Sequence, residues 1–190
     1  PALREALKRI GLSNPDALLS RLIGTEAVTA HEAVLRQQLT LQVFSPIGLA
    51  LLKAYETYDP MDAGATFNGS FGDMLSSQPT RAVLDFVNGA VRRELGLQED
   101  SFNILEVPLN IRLRRVHDMF LSGRMNICPT IRTLCEVVYL YSCDVLLLTG
   151  RPSRPPGVQD YFRQLLALPS GRILSMHVYH TVGWYPFNRQ

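Results

Sequence analysis

From Asp144 to Gln159 the chain reads Asp-Val-Leu-Leu-Leu-Thr-Gly-Arg-Pro-Ser-Arg-Pro-Pro-Gly-Val-Gln, an apolar run, a turn rich in Gly, Pro and Arg, and a helix start. Gly150 has no Cβ, so backbone there can lie against a flat ring. Arg151 and Arg154 carry planar guanidinium groups that stack on a base or pair with phosphate. Ser153 could meet a ribose or a ring nitrogen, and Thr149 marks the strand end. A turn at the carboxyl end of a buried strand, followed by a helix N-terminus that favours anions, is where open α/β sheets bind ligands. A nucleotide suits such a place. A rigid Pro/Arg surface connection accounts for the same spacing, and periodicity does not choose between them.

The elements that must position this turn follow from apolar patterning. Val145 to Leu148 is an uninterrupted apolar run of strand length, predicted to be buried on both faces. Pro129 opens a helix carrying Ile131, Leu134, Cys135, Val138 and Leu140 ahead of it. A helix from Val158 to Leu168 follows, with Phe162, Leu165 and Leu166 inward, and a second strand lies near Ile173. Helix, strand, helix, strand predicts a parallel α/β layer with a right-handed crossover.

Upstream, Leu3, Leu7 and Ile10 predict one short helix, and Asn14-Pro15-Asp16 caps a second over 17–23. Val34 to Tyr55 reads as a helix interrupted or kinked near Pro46. Asp59 to Pro79 is a long loop or short hairpin and a natural boundary. Thr80 caps a helix with the stripe Val83, Phe86, Val87, Ala90, Val91 and Leu95, ending at Gly96. Phe102 to Leu109 reads as a strand, and Leu113, Val116, Phe120 and Leu121 as a helix. The class is a mixed, helix-rich α/β protein, divided into a mainly helical part over 1–100 and an α/β part over 101–190.

The stretch 144–159 resembles the adenosine motif of the actin/Hsp70 superfamily: hydrophobic strand, two small residues, Ser/Arg turn, Pro, then a Val-Gln helix. Thr149 stands where that superfamily has its first Gly, and the turn is one residue longer. A wider resemblance, to the SrfB-type bacterial virulence factor family, runs through Cys143 to Arg154, Gly183-Trp184-Tyr185-Pro186-Phe187-Asn188-Arg189, and Gln38-Leu39 to Tyr55-Glu56. The resemblance implies an actin/Hsp70-like (ribonuclease H-like) fold, of which this chain is a second-lobe fragment with a helical outer subdomain over 1–100 and an inner α/β portion over 101–190. It implies adenosine contacts from Thr149, Gly150, Arg151, Ser153 and Arg154, and ATP or ADP with Mg2+ in the intact parent, whose phosphate hairpins and metal-associated acid lie outside the segment. The chain by itself then carries no catalytic residue. Protein partners and the remainder of the parent chain are the implied company, in a bacterial cytoplasm. The same family leaves open a non-hydrolysing actin-fold scaffold for protein interaction. Lys53 and Glu56, three apart on one helix, could approach the adenosine; a solvated pair is the plainer reading.

Other residues suggest less chemistry. His177 and His180 are three apart in extended sequence, where side chains diverge instead of meeting one metal. His31 and His117 lack partners at ligand spacing and read as cap or surface residues. Ser70 misses the nucleophile-elbow spacing. Arg112, Arg114 and Arg115 read as a solvated face, and Trp184, Tyr185 and Phe187 as packing or interface aromatics. Cys128, Cys135 and Cys143 lack C-x-x-C spacing and read as three buried thiols. With 190 residues, 46% hydrophobic and 19% charged, the chain is long enough for a core. A net charge of +2 argues against nucleic acid, and no apolar run long enough for a membrane span or an export signal is present. Beginning with Pro1 and stopping on Gln190, it reads as a piece of a longer protein.

Overall fold

The computed structural model describes residues 2–24, 29–96 and 101–176, so His177, His180, Trp184, Tyr185 and Phe187 lie outside the described residues. The chain forms two compact units, and the division in space is not a single cut along the sequence: 1–51 with 66–111, and 52–65 with 112–190.

The first unit is built on helices. Helix α1 (Ala2–Arg9) buries Leu3 and Leu7. Asn14 caps α2 (Pro15–Ile23), its side-chain oxygen accepting from the Ala17 N–H at 3.4 Å, with Pro15 at the first position where a missing N–H costs nothing. Asn14→Ala is expected to lower stability by about 1 kcal/mol, read as a shift in the urea midpoint at constant slope. Thr29 and Glu32 form a reciprocal capping box at the start of α3 (Ala30–Leu39). The Thr29 hydroxyl and backbone hydrogen bonds hold the Glu32 carboxyl below its usual range.

The expected break near Pro46 takes a specific form. A proline inside an α-helix clashes with the carbonyl four residues back, here Gln42. The chain widens into a π-helical turn over Thr40–Phe44, in which the Ser45 N–H reaches Thr40, and α4 (Ser45–Glu56) then runs straight through Pro46.

Helix α5 (Arg81–Leu95) presents Val83, Val87, Ala90 and Val91 to the core and stops at Gly96, whose φ of +62° is the left-handed cap glycine permits. The loop after Asp59 contributes strand β1 (Thr66–Ser70), which pairs with β2 (Pro108–Arg112). The predicted strand over 102–109 is corrected: Ile104–Glu106 is a 3-10 turn and extended pairing begins only at Pro108. Side chains supply the acceptors a ladder would have given, since Asn88 takes the Ile104 N–H at 2.9 Å and Asn103 the Leu105 N–H at 3.1 Å. Leu7, Leu22, Leu39, Val43, Val83, Val87, Val91 and Ile104, each almost fully buried, form the centre of this unit.

The second unit begins in the last turns of α4 and contains α6 (Leu113–Leu121), α7 (Cys128–Leu140), β3 (Leu146–Leu148), α8 (Pro156–Leu165) and β4 (Ile173–Ser175). Strands β3 and β4 pair in parallel, Leu146 opposite Ile173 and Leu148 opposite Ser175, with α8 as the crossover. That is the parallel strand–helix–strand unit the patterning predicts. The expectation of a strand covered on both faces is corrected: Leu148 is buried, while Val145 and Leu147 are 49% and 55% exposed. Among the described residues β3 has one neighbour only, so alternate side chains reach the surface. Helix α8 ends at Leu165, three residues short of the predicted Leu168, and Leu165 itself is exposed. Leu134 and Leu140 of α7 also face outward. Cys128 and Cys135 are buried, whereas Cys143 is exposed, correcting the expectation of three buried thiols.

Candidate functional site

The turn after β3 is assembled from backbone geometry first. Gly150 adopts φ +77° and ψ 169°, a region closed to side-chain-bearing residues without strain, and this directs the chain off the strand end. A 3-10 turn over Arg151–Ser153 follows, then Pro155, and α8 starts at Pro156. The Ser153 hydroxyl donates to the Gly150 carbonyl at 2.8 Å, and the Ser153 N–H donates to the same oxygen at 3.2 Å. Ser153 is buried in the process, so its hydroxyl braces the turn and does not project from it. Gln159 donates from Nε2 to the carbonyls of Ser153 at 3.2 Å and Arg154 at 3.3 Å, tying the turn to the first turn of α8.

Both guanidinium groups converge on Glu56 at the end of α4. Arg151 Nε lies 3.1 Å from Glu56 Oε1 and Arg154 Nη1 lies 3.9 Å from Oε2. Glu56 is therefore an ion-pair partner of the turn, and the reading of a solvated Lys53–Glu56 pair gives way to this arrangement. The arginines stay more than half exposed while the Glu56 side chain is only 9% exposed, so the carboxylate is the fixed member and the guanidinium faces remain open. Thr149 and Gly150 are exposed beside them. Of the five residues singled out, four thus share one surface turn and Ser153 supports it from beneath.

Beneath the turn lies a buried polar cluster. Tyr55, immediately before Glu56, is 1% exposed and stacked between Phe120 at 5.7 Å and Tyr58 at 5.7 Å. Its hydroxyl oxygen accepts from the Gly157 N–H at 3.0 Å and lies 2.9 Å from His117 Nδ1. The Gly157 N–H can only donate, so Nδ1 is the acceptor the phenol proton meets; assigning that proton to Nδ1 leaves the imidazole proton on Nε2. That nitrogen points toward Asp160 Oδ2, 3.6 Å away and beyond hydrogen-bond reach. Burial pushes the Tyr55 hydroxyl well above its ordinary value. Burial also pushes His117 down from 6.5, with Asp160 opposing it.

His117 corrects the sequence reading, which placed it at a cap or the surface; it is 4% exposed. A signal was present, because Leu113, His117 and Phe120 fall at i, i+4 and i+7, the inward face of α6. Nothing in the sequence linked Tyr55 to Gly157, 102 residues away. An apolar groove of about 850 Å³ lies elsewhere in this unit, between the end of α7 and residues 165–168, with Tyr139, Leu140 and Cys143 on its wall; it includes none of the turn residues. Among the described residues no three His, Cys, Asp or Glu groups come together as metal ligands, and no helix is long and apolar enough to cross a membrane.

A family model described as virulence factor SrfB matches residues 1–190. No curated protein and no solved structure matches the chain.

Proposed function

From the premise that the chain belongs to the virulence factor SrfB family, we propose that its 149–154 turn seats the adenosine of a nucleotide in the second lobe of an actin/Hsp70-like, ribonuclease H-like ATPase. The observation that carries this is the glycine-led turn at the carboxyl end of a parallel strand, with Gly150 at φ +77° and two exposed arginine faces leading into α8. Strand ends of this kind are the usual ligand positions of parallel α/β layers. Thr149 and Gly150 supply close backbone approach, Arg151 and Arg154 stack on the base or pair with anionic oxygens, and Ser153 holds the turn in shape. The residues present suit the adenosine of ATP or ADP; in this reading the groups for the phosphates and Mg2+ belong to the remainder of the parent protein, and hydrolysis would draw on them.

Titration calorimetry of the intact protein with ADP and magnesium is expected to show saturable binding that Arg154→Ala weakens at least about tenfold, equivalent to about 1.4 kcal/mol. Absence of binding to either protein removes the nucleotide reading. A second reading, a non-hydrolysing actin-fold scaffold for protein partners in the bacterial cytoplasm, is favoured by one feature: Tyr139, Leu140 and Tyr141 are 81%, 76% and 78% exposed in succession at the end of α7. Exposed aromatic and aliphatic side chains gathered at one place commonly mark interaction surfaces.

A further inference from the structure

The same helix end grips the turn twice. Glu56 holds Arg151 and Arg154 from outside, and its neighbour Tyr55 holds the Gly157 N–H from inside. We propose that Tyr55 is a positioning residue for the 150–157 turn and that the protonation state of His117 governs its hold. The proposal rests on the reading of that turn as a binding site only for its consequence in ligand affinity; the hold itself is a property of the free protein.

With neutral His117, the Tyr55 proton is directed to Nδ1 and the phenol oxygen keeps a lone pair on the Gly157 N–H. Once Nδ1 gains a proton it can no longer accept. The phenol oxygen can accept from both donors, but its own proton is then left without an acceptor in a site where Tyr55 is 1% exposed. An unmade hydrogen bond is most costly when buried, so the cluster must rearrange and the Gly157 anchor loosens.

The charged and titratable groups around the ring come from three elements. On α8, Asp160 stands 3.6 Å from Nε2 and favours the proton, but it is also engaged by Arg163 at 2.7 Å. On α6, Arg114 disfavours the proton while Asp118 favours it, and these two pair with each other at 3.1 Å. At the end of α4, Tyr55 occupies Nδ1, and Tyr58, just beyond that helix, approaches edge-on at 6.0 Å. Helix α7 places Arg132 on the Tyr161 hydroxyl and not on the imidazole. Burial is the largest influence and sets the direction, downward from 6.5. A folded-state value below the unfolded one means the folded protein binds fewer protons. The hold is therefore complete above the unfolded value of about 6.5 and is lost as pH falls below it through the folded value.

Hydrogen–deuterium exchange of the full-length protein, read on peptides spanning 155–162 and corrected for intrinsic exchange, tests this without any ligand. Wild-type protection is expected to fall at least about fivefold between about pH 7.5 and 5.5. His117→Asn keeps an acceptor near the Nδ1 position and cannot titrate, so its protection is expected to be independent of pH. Tyr55→Phe removes the anchor and is expected to lose protection at both pH values. Wild-type protection that does not change with pH, or Tyr55→Phe protection equal to wild type, overturns the proposal, and either readout decides even if His117→Asn fails to fold. ADP affinity measured over the same range separates the two readings. pH-linked protection without ADP binding sinks only the nucleotide reading, whereas ADP binding beside pH-independent protection sinks only the latch.

Discussion

Gly157→Ala is expected to destabilise the protein by about 3 kcal/mol or more, although alanine is the better helix former by about 1 kcal/mol. A Cβ at this position would stand 2.4 Å from Tyr55 Oη and 2.7 Å from both Cβ and Cγ of Phe120. Neither neighbour can withdraw. Tyr55 is clamped in a stack between Tyr58 and Phe120, and Phe120 is 5% exposed. Displacing the tyrosine would also leave the Gly157 N–H and His117 Nδ1 without their shared partner. Urea denaturation measures this directly, and a midpoint equal to or above that of the wild type would show that α8 does not pack as described.

Tyr55 divides into a ring and a hydroxyl that separate cleanly by substitution. Tyr55→Ala removes a fully buried aromatic and is expected to cost about 4 kcal/mol. Tyr55→Phe keeps the stack with Phe120 and Tyr58 but strands one donor and one acceptor, and is expected to cost about 2 kcal/mol. In the Tyr55→Phe background, Gly157→Ala meets one clash fewer, so the pair is expected to be sub-additive by about 1 kcal/mol. Equal losses for Tyr55→Phe and Tyr55→Ala would place all the energy in the hydroxyl; no loss for Tyr55→Phe would remove the polar anchor altogether.

Local signals carried much of the fold. Asn14-Pro15 and Gly96 mark helix ends because capping is decided within a few residues of the chain, whereas α5 starts after Thr80 without a capping hydrogen bond from that side chain. The run after Cys143 announces a strand, and the alternation of helix and strand announces parallel pairing, which β3 and β4 show. Errors arose where a distant group took over a local role. Residues 104–106 left the expected strand because Asn88, sixteen positions earlier, supplied an acceptor. Pro46 did not stop its helix: a π-helical turn over Thr40–Phe44 leads into α4, which contains the proline near its start.

The sequence by itself determined which residues form the turn: glycine at a positive-φ position, two guanidinium groups and a helix start are chemistry written in consecutive letters. Only the tertiary structure decided what holds that turn. Glu56 and Tyr55 reach it from 95 and 102 residues away, and His117 becomes an interior group because α6 lays one face against α8. Pattern along a chain reports which side chains share a face; what that face meets depends on contacts between distant segments, and no local spacing encodes those.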